Sequence, residues 1–331
     1  MVQSQGELKF KFKYVNSQGA ATGFFSQKAI LSESKIILGK DELRYVDVMD
    51  TSTRDRRLVL AISDQINLVD KKLLNYLLEG RILILEIYHA DAITVEKFID
   101  RISSRHQVEL KRQAMIAAGQ GHLFHATTCP ECQATIDLSN LNRSSYVYCR
   151  FCESIFPENL PAITNGSKYR ICDECHMFDR VQGYTEFYFY FLLVVYGFYA
   201  KRRHLCDNCA HQVFIKAFLI NFIFILGIPS ALWIKIKSLS NRDPALKSLS
   251  KATGLSKKGN YAKADPIYNQ LHKTYPEHPG LLMNEGLGHL FGGDGNGATN
   301  CFNRSLRACP NYSPVLRLFQ EFQNRTTRPP K

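Results

Sequence analysis

Cys129-Pro130-Glu131-Cys132 and, sixteen residues later, Cys149-Arg150-Phe151-Cys152 decide how the middle of this 331-residue chain folds. A Cys-x-x-Cys turn presents two sulfurs while its backbone amides offset their charge, and two such turns complete the thiolate tetrahedron that zinc prefers. A redox dithiol or an iron site would use the same residues, but a catalytic pair has no need of a matching second one, so the spacing favours zinc. With every coordination position filled by protein, the metal is expected to be structural, holding together a piece too small to bury its own core. His122 and His125 lie just upstream and read as surface or helix-end residues, because four cysteines already complete the site.

Ala134 to Leu138 and Tyr146 to Tyr148 are strand-like, so residues 119–160 resemble a zinc ribbon, two knuckles at the ends of a short hairpin. A second set follows, Cys172-Asp173-Glu174-Cys175 and Cys206-Asp207-Asn208-Cys209, thirty residues apart. Three pairings of the four knuckles are formally open. The gap contains Phe187 to Ala200, an uncharged, aromatic-rich run of fourteen residues. As a helix it would reach only about 21 Å against a hydrocarbon core of about 30 Å. A span would also place Cys172 and Cys175 across the membrane from Cys206 and Cys209, forbidding a shared ion. The expectation is the long hairpin of an enlarged ribbon over residues 165–212, with Gly197 as a kink or bulge. The cofactor expected is two structural Zn2+ ions, held by Cys129, Cys132, Cys149 and Cys152 and by Cys172, Cys175, Cys206 and Cys209. The isolated Cys301 and Cys309 read as small packing residues.

Beyond the last knuckle, Ala217 to Ile234 is a run of eighteen residues with no charge and one asparagine, about 27 Å of helix. Lys216, Lys235 and Lys237 bracket it, Trp233 sits at one edge, and Gly227-Ile228-Pro229 would kink it. Residues 181–260 also carry 11 basic and 3 acidic residues, most of the chain's net charge of +12. This combination predicts a membrane helix within residues 213–237; a buried helix packed on the apolar hairpin is the alternative. Basic residues on both flanks leave its orientation open.

Toward the N-terminus, Leu8-Lys9-Phe10-Lys11-Phe12-Lys13-Tyr14-Val15 alternates lysine with apolar residues, giving a strand with one wet and one buried face. Further strands are expected at Gly23–Ile30, Lys35–Leu38, Leu43–Val48, Arg57–Ser63 and Arg81–Tyr88. Val95, Phe98, Ile99 and Ile102 then mark a helix running to about Ala118. Antiparallel strands closed by one helix over residues 1–118 resemble the pleckstrin-homology-like superfold, which implies lipid or peptide binding. Its lipid-binding members place basic residues in the first hairpin loop, where this chain has the uncharged Asn16-Ser17-Gln18-Gly19. Lys9, Lys11 and Lys13 read either as lipid-phosphate contacts or, more simply, as a solvated strand face.

A period of thirty-four organises residues 245–325: Ala264, Tyr268 and Pro276 recur as Ala298, Phe302 and Pro310, with Gly286 and Leu282 in the second repeat's first helix. This resembles the tetratricopeptide repeat, whose paired helices commonly bind peptides on their concave face. Ser248 stands where the repeat usually has a large residue. Two repeats and a final helix fall short of a free-standing array, so the helices are expected to dock against the chain itself, an oligomeric partner or a ligand.

The fold class expected is therefore multidomain α+β: a helix-closed antiparallel β domain, two zinc ribbons, a membrane helix and C-terminal helical repeats. The ten cysteines occur as metal-site pairs, and Met1 to Glu7 lacks the basic patch and apolar run of a secretory signal, which favours a reducing compartment. No His-Glu-x-x-His, phosphate loop or nucleophile motif is present, so an enzyme is not expected. The function expected is a membrane-associated scaffold or adaptor binding protein or peptide partners, with its cysteine-rich domains in the cytoplasm. The alternatives are a cytoplasmic protein whose apolar segments are buried, and a zinc-ribbon nucleic-acid binder. Against the last stands the first ribbon's surroundings: residues 119–180 hold 5 basic and 7 acidic residues.

Overall fold

The structure, a computed structural model, describes residues 7–64, 72–157, 169–192, 195–222 and 247–326. It divides into two compact units, Met1–Asn140 and Leu141–Lys331.

In the first unit the alternation of lysine and aromatic residues does what period two requires. Strand β1 (Glu7–Tyr14) turns Phe10, Phe12 and Tyr14 inward and Lys9 and Lys11 to solvent. It lies at the middle of a curled seven-stranded antiparallel sheet that also holds β2 (Gln27–Ser32), β3 (Ile36–Leu38), β4 (Asp41–Leu43), β5 (Val48–Arg54), β6 (Arg57–Ile62) and β7 (Ile82–Tyr88). The strand order is β4-β3-β2-β1-β7-β6-β5, with Lys11 opposite Lys28 on one side and Tyr88 on the other. Helix α1 (Ala92–Ala117) starts where the Asp91 carboxylate accepts the Thr94 N–H at 3.3 Å. Its Val95, Ile99 and Ile102 close the core over the inner faces of the strands.

Three details differ from the sequence expectation. Gly23 to Ser26 belong to the loop before β2, and Tyr45–Asp47 form a 3-10 turn in which Arg44 grips Asp47 at 2.8 and 2.9 Å. Strand β5 was not expected, because Met49-Asp50-Thr51-Ser52-Thr53 lacks an apolar alternation. Its threonines instead bond α1: Thr53 to Glu96 at 2.7 Å, and Thr51 to Asp100. The short hairpin of β8 (Ala126–Thr128) and β9 (Thr135–Asp137) completes the described part of this unit.

In the second unit the strands are β10 (Tyr146–Tyr148), β11 (Ile155–Pro157), β12 (Tyr169–Ile171), β13 (Phe178–Leu192) and β14 (Val195–Cys206). The long apolar run is a hairpin: β13 pairs with β14 from Val181↔Cys206 to Leu192↔Val195, in unbroken register through Gly197. Of the kink or bulge expected at that glycine, the bulge is absent. Helix α2 (Asp207–Phe222) follows, then α3 (Lys247–Lys257), α4 (Tyr261–Thr274), α5 (Pro279–Phe291), α6 (Gly295–Ala308) and α7 (Ser313–Thr326).

The expected membrane helix is corrected. Among the described residues no helix is long and apolar enough to cross a membrane. Residues 217–222 end α2, a helix of 16 residues, about 24 Å, that begins between two cysteines of a thiol cluster. The rest of the predicted segment, 223–237, lies outside the described residues. The fold class is accordingly mixed α+β with a curled sheet, two four-cysteine clusters and C-terminal helices. The membrane association and membrane-based localisation expected from the sequence lose their support.

The five C-terminal helices stack as pairs, α3 with α4 and α5 with α6, with α3 also against α5. The residues that recur at thirty-four meet in the core, Ala264, Tyr268, Ala298 and Phe302 among them. Gly286 is small for a concrete reason: a Cβ there would stand 2.4 Å from Phe302 Cε1. At the first inter-helix turn, Gly259 takes φ +69°, a left-handed conformation that costs glycine least.

Candidate metal centre

Three of the four Cys-x-x-Cys segments fold into one local shape. The N–H of the first cysteine bonds the carbonyl five residues on: Cys129 to Ala134 at 2.9 Å, Cys149 to Ser154 at 2.8 Å, Cys172 to Met177 at 3.0 Å. The residue after the second cysteine returns a bond to the first cysteine's carbonyl and takes positive φ, +62° at Gln133, +60° at Glu153 and +56° at His176. Each loop thereby brings its two sulfurs into a four-sulfur cluster.

The fourth segment is built differently. Cys206 is the last residue of β14 and Cys209 lies in the first turn of α2, so the positive dipole end of that helix lies at the cluster.

The sulfurs of Cys129, Cys132, Cys149 and Cys152 lie within 4.8 Å of one another, as do those of Cys172, Cys175, Cys206 and Cys209. The three pairings left open by the sequence are thereby reduced to one, the first knuckle joining the second and the third joining the fourth. In the second cluster Cys175 Sγ and Cys206 Sγ are 3.8 Å apart. Sulfurs at the corners of a tetrahedron with metal–sulfur bonds of about 2.3 Å stand about 3.8 Å apart, so this edge fits zinc without movement. Cys172, Cys206 and Cys209 are buried. Hydrogen bonding by Cys175, and then by Cys206, holds the Cys172 thiol far below the usual range. Hydrogen bonding with Cys172 drives Cys206 far above it. Four thiols so close share their protons unequally, and a divalent cation removes that conflict by allowing all four to ionise.

Four thiolates around one divalent cation would carry two net negative charges, and donors lie beside the sulfurs. The Cys206 N–H donates to Cys172 Sγ at 3.3 Å, and Lys257 Nζ, on α3, lies 3.4 Å from Cys209 Sγ. The loop is pinned from outside by the Asp173 carboxylate, which accepts the His204 N–H at 2.6 Å, and by Glu174 paired with Arg203. Arg180 bonds Asp207 at 2.6 Å. Next to it Asp179 is fully buried; burial pushes its carboxyl up to about 8, against the 2.7 Å hydrogen bond from the Arg180 N–H.

The second cluster is also welded to the helices. Asn208 Nδ2 donates to the Ser250 carbonyl of α3 at 2.8 Å. Asn284 of α5 reads both backbone groups of Phe178, donating to its carbonyl at 2.6 Å and accepting its N–H at 2.8 Å. Asn311 does the same to Tyr148, at 2.8 and 3.0 Å. Gly280 leaves room for the Phe178 ring, which a Cβ would approach to 2.5 Å. The partner that a short helical array needs is thus the chain's own ribbon strands, and α5 is buried along most of its length.

Lys257, Asn284 and Asn311 had no signal in the sequence, since nothing in their spacing refers to a knuckle, and Asn208 was visible only as the residue before Cys209. His122 and His125 are in neither cluster, and Cys301 and Cys309 are buried in the helical core as free thiols. No protein-family model, curated protein or solved structure matches the chain.

Proposed function

We propose that this protein is a non-enzymatic, zinc-organised interaction scaffold. Its helix-closed sheet is pleckstrin-homology-like, its cysteine clusters are zinc ribbons, and its C-terminal helices are tetratricopeptide-like repeats clamped on the second ribbon. The observation that carries the reading is the cluster of Cys172, Cys175, Cys206 and Cys209. Four thiols gathered with tetrahedral spacing join a hairpin, the start of α2 and, through Lys257, the first repeat helix. With four protein ligands the ion has no open position for substrate, so its role is to fix structure. In this reading the ion holds the ribbon strands where Asn284 and Phe178 meet, and so completes the face on which the repeats rest.

Metal analysis of the purified full-length chain tests this. The expected result is two zinc ions per chain, falling to one in Cys206→Ser. A metal-free chain, or the visible absorbance of thiolate-bound iron, would overturn the reading.

A further inference from the structure

Phe24 and Phe25 are the most exposed large apolar side chains among the described residues, at 88 % and 81 % of their full surface, with their rings edge to face at 5.1 Å. The loop that carries them, residues 15–26, is firmly built. Asn16 Oδ1 accepts the Gln18 and Ala20 N–H groups at 3.1 and 2.9 Å, and the Thr22 N–H bonds the Tyr14 carbonyl at 2.7 Å. Arg57 Nη2 holds the Gly19 carbonyl at 2.8 Å, and Lys13 Nζ donates to the carbonyl of Phe24 itself at 3.1 Å. Nothing in the fold requires two phenyl rings in water. A rigid mount for them is the arrangement of a pre-organised binding anchor.

The charge beside them is unmatched. Lys11 and Lys28 are direct cross-strand neighbours on the outer face of β1 and β2, an arrangement that like charges disfavour, and neither is ion-paired among the described residues. Lys28 lies at the start of β2, three residues on from Phe25 in the chain. Further along the same face, Ile30 and Ile37 are half-buried neighbours of Lys9. Lys9 is paired with Glu7, and Glu86, across from Lys13, accepts the Tyr88 hydroxyl; among the described residues neither acid is ion-paired to Lys11 or Lys28.

We propose that this face is a docking surface for an acidic peptide segment of a partner protein. Its carboxylates meet Lys11 and Lys28, and one of its apolar side chains seats against Phe24 and Phe25. The charge is complementary: the cationic positions lie along the pleated face of β1 and β2, and Phe24 and Phe25 stand on the loop that leads into β2. An extended segment lying on β1 and β2 meets the lysines, because its alternate side chains repeat at the same spacing as Lys9, Lys11 and Lys13, and its continuation past Lys28 toward the start of β2 meets the loop of Phe24 and Phe25. This names a partner class for the scaffold reading, and zinc content measured on the same samples reports on that reading separately.

The test is fluorescence anisotropy of the metal-loaded full-length chain with a labelled peptide, Glu-Glu-Leu-Glu-Glu-Phe-Glu-Glu. Saturable binding is expected, weakening at least about 10-fold between about 50 and about 200 mM salt. The double variants Phe24→Ser/Phe25→Ser and Lys11→Glu/Lys28→Glu should each weaken it by about 10-fold or more. Their melting curves should match the wild type, since all four side chains lie on the surface. Absence of binding, or equal binding by the variants, overturns the proposal. So does pelleting with anionic phospholipid vesicles that depends on Phe24 and Phe25 while the peptide fails to bind.

Discussion

Replacing Asn284 with leucine tests whether the helical repeats are clamped on the ribbon by backbone recognition. The side chain is completely buried and supplies one donor and one acceptor to the two main-chain groups of Phe178, itself 1 % exposed. Leucine occupies similar space and can do neither. Each buried backbone group left without a partner costs about 1–3 kcal/mol, so the pair costs about 2–6, less whatever the added apolar contact returns. A net loss of about 3 kcal/mol lowers the melting temperature of a unit this size by roughly 6–12 °C. Far-UV circular dichroism measures the melt, and hydrogen exchange measures the Phe178 amide, whose protection should fall with the clamp. The control is Asn303→Leu, on an exposed face of α6, expected to change stability by no more than about 0.5 kcal/mol. If Asn284→Leu melts within about 2 °C of that control, or the Phe178 amide stays as slow as in the wild type, the clamp contributes nothing and the argument fails.

Gly286→Ala should lose about 1–3 kcal/mol, because its Cβ would stand 2.4 Å from Phe302 Cε1. Adding Phe302→Leu should recover part of that loss, and denaturant midpoints of the single and double variants will show whether it does. His278 supplies the pH test: burial holds its imidazole down at about 3, and the neutral ring accepts the Gly280 N–H at 3.2 Å through Nδ1. The unfolded chain takes up this proton near the ordinary value of 6.5 and the folded chain only near 3. Its stabilising effect is therefore complete above about pH 6.5 and declines as pH falls toward 3. Between about pH 7.5 and about pH 5.5 the loss is about 1.4 kcal/mol, and His278→Gln should remove that part of the pH slope in urea unfolding.

Much of the chain was legible residue by residue. The lysine–aromatic alternation of Leu8 to Tyr14 placed β1, and the recurrence of Ala264, Tyr268 and Pro276 at thirty-four placed the helix pairs. The argument that a shared metal turns Phe187 to Ala200 into a hairpin rested on ligand geometry, and the paired strands β13 and β14 have that form. Failures came where a local pattern had two solutions. An apolar run bracketed by lysines reads as a membrane helix on hydropathy alone, yet residues 217–222 finish a helix that starts inside a thiol cluster. Strand β5 went unseen because its stability comes from Thr51 and Thr53 bonding α1 and not from an apolar face.

By itself, then, the sequence determined what depends on spacing along the chain: the thiol pairs, the knuckle turns, the faces of β1 and the recurrence at thirty-four that marks the helix pairs. The tertiary structure alone decided what depends on residues brought together from afar. Lys257 reaches a sulfur 48 residues away, and Asn311 reads the backbone of Tyr148 from 163 residues away. A hydrogen bond or ion pair of this kind needs only proximity in space, and proximity is created by packing, which leaves no periodic trace in the order of the residues.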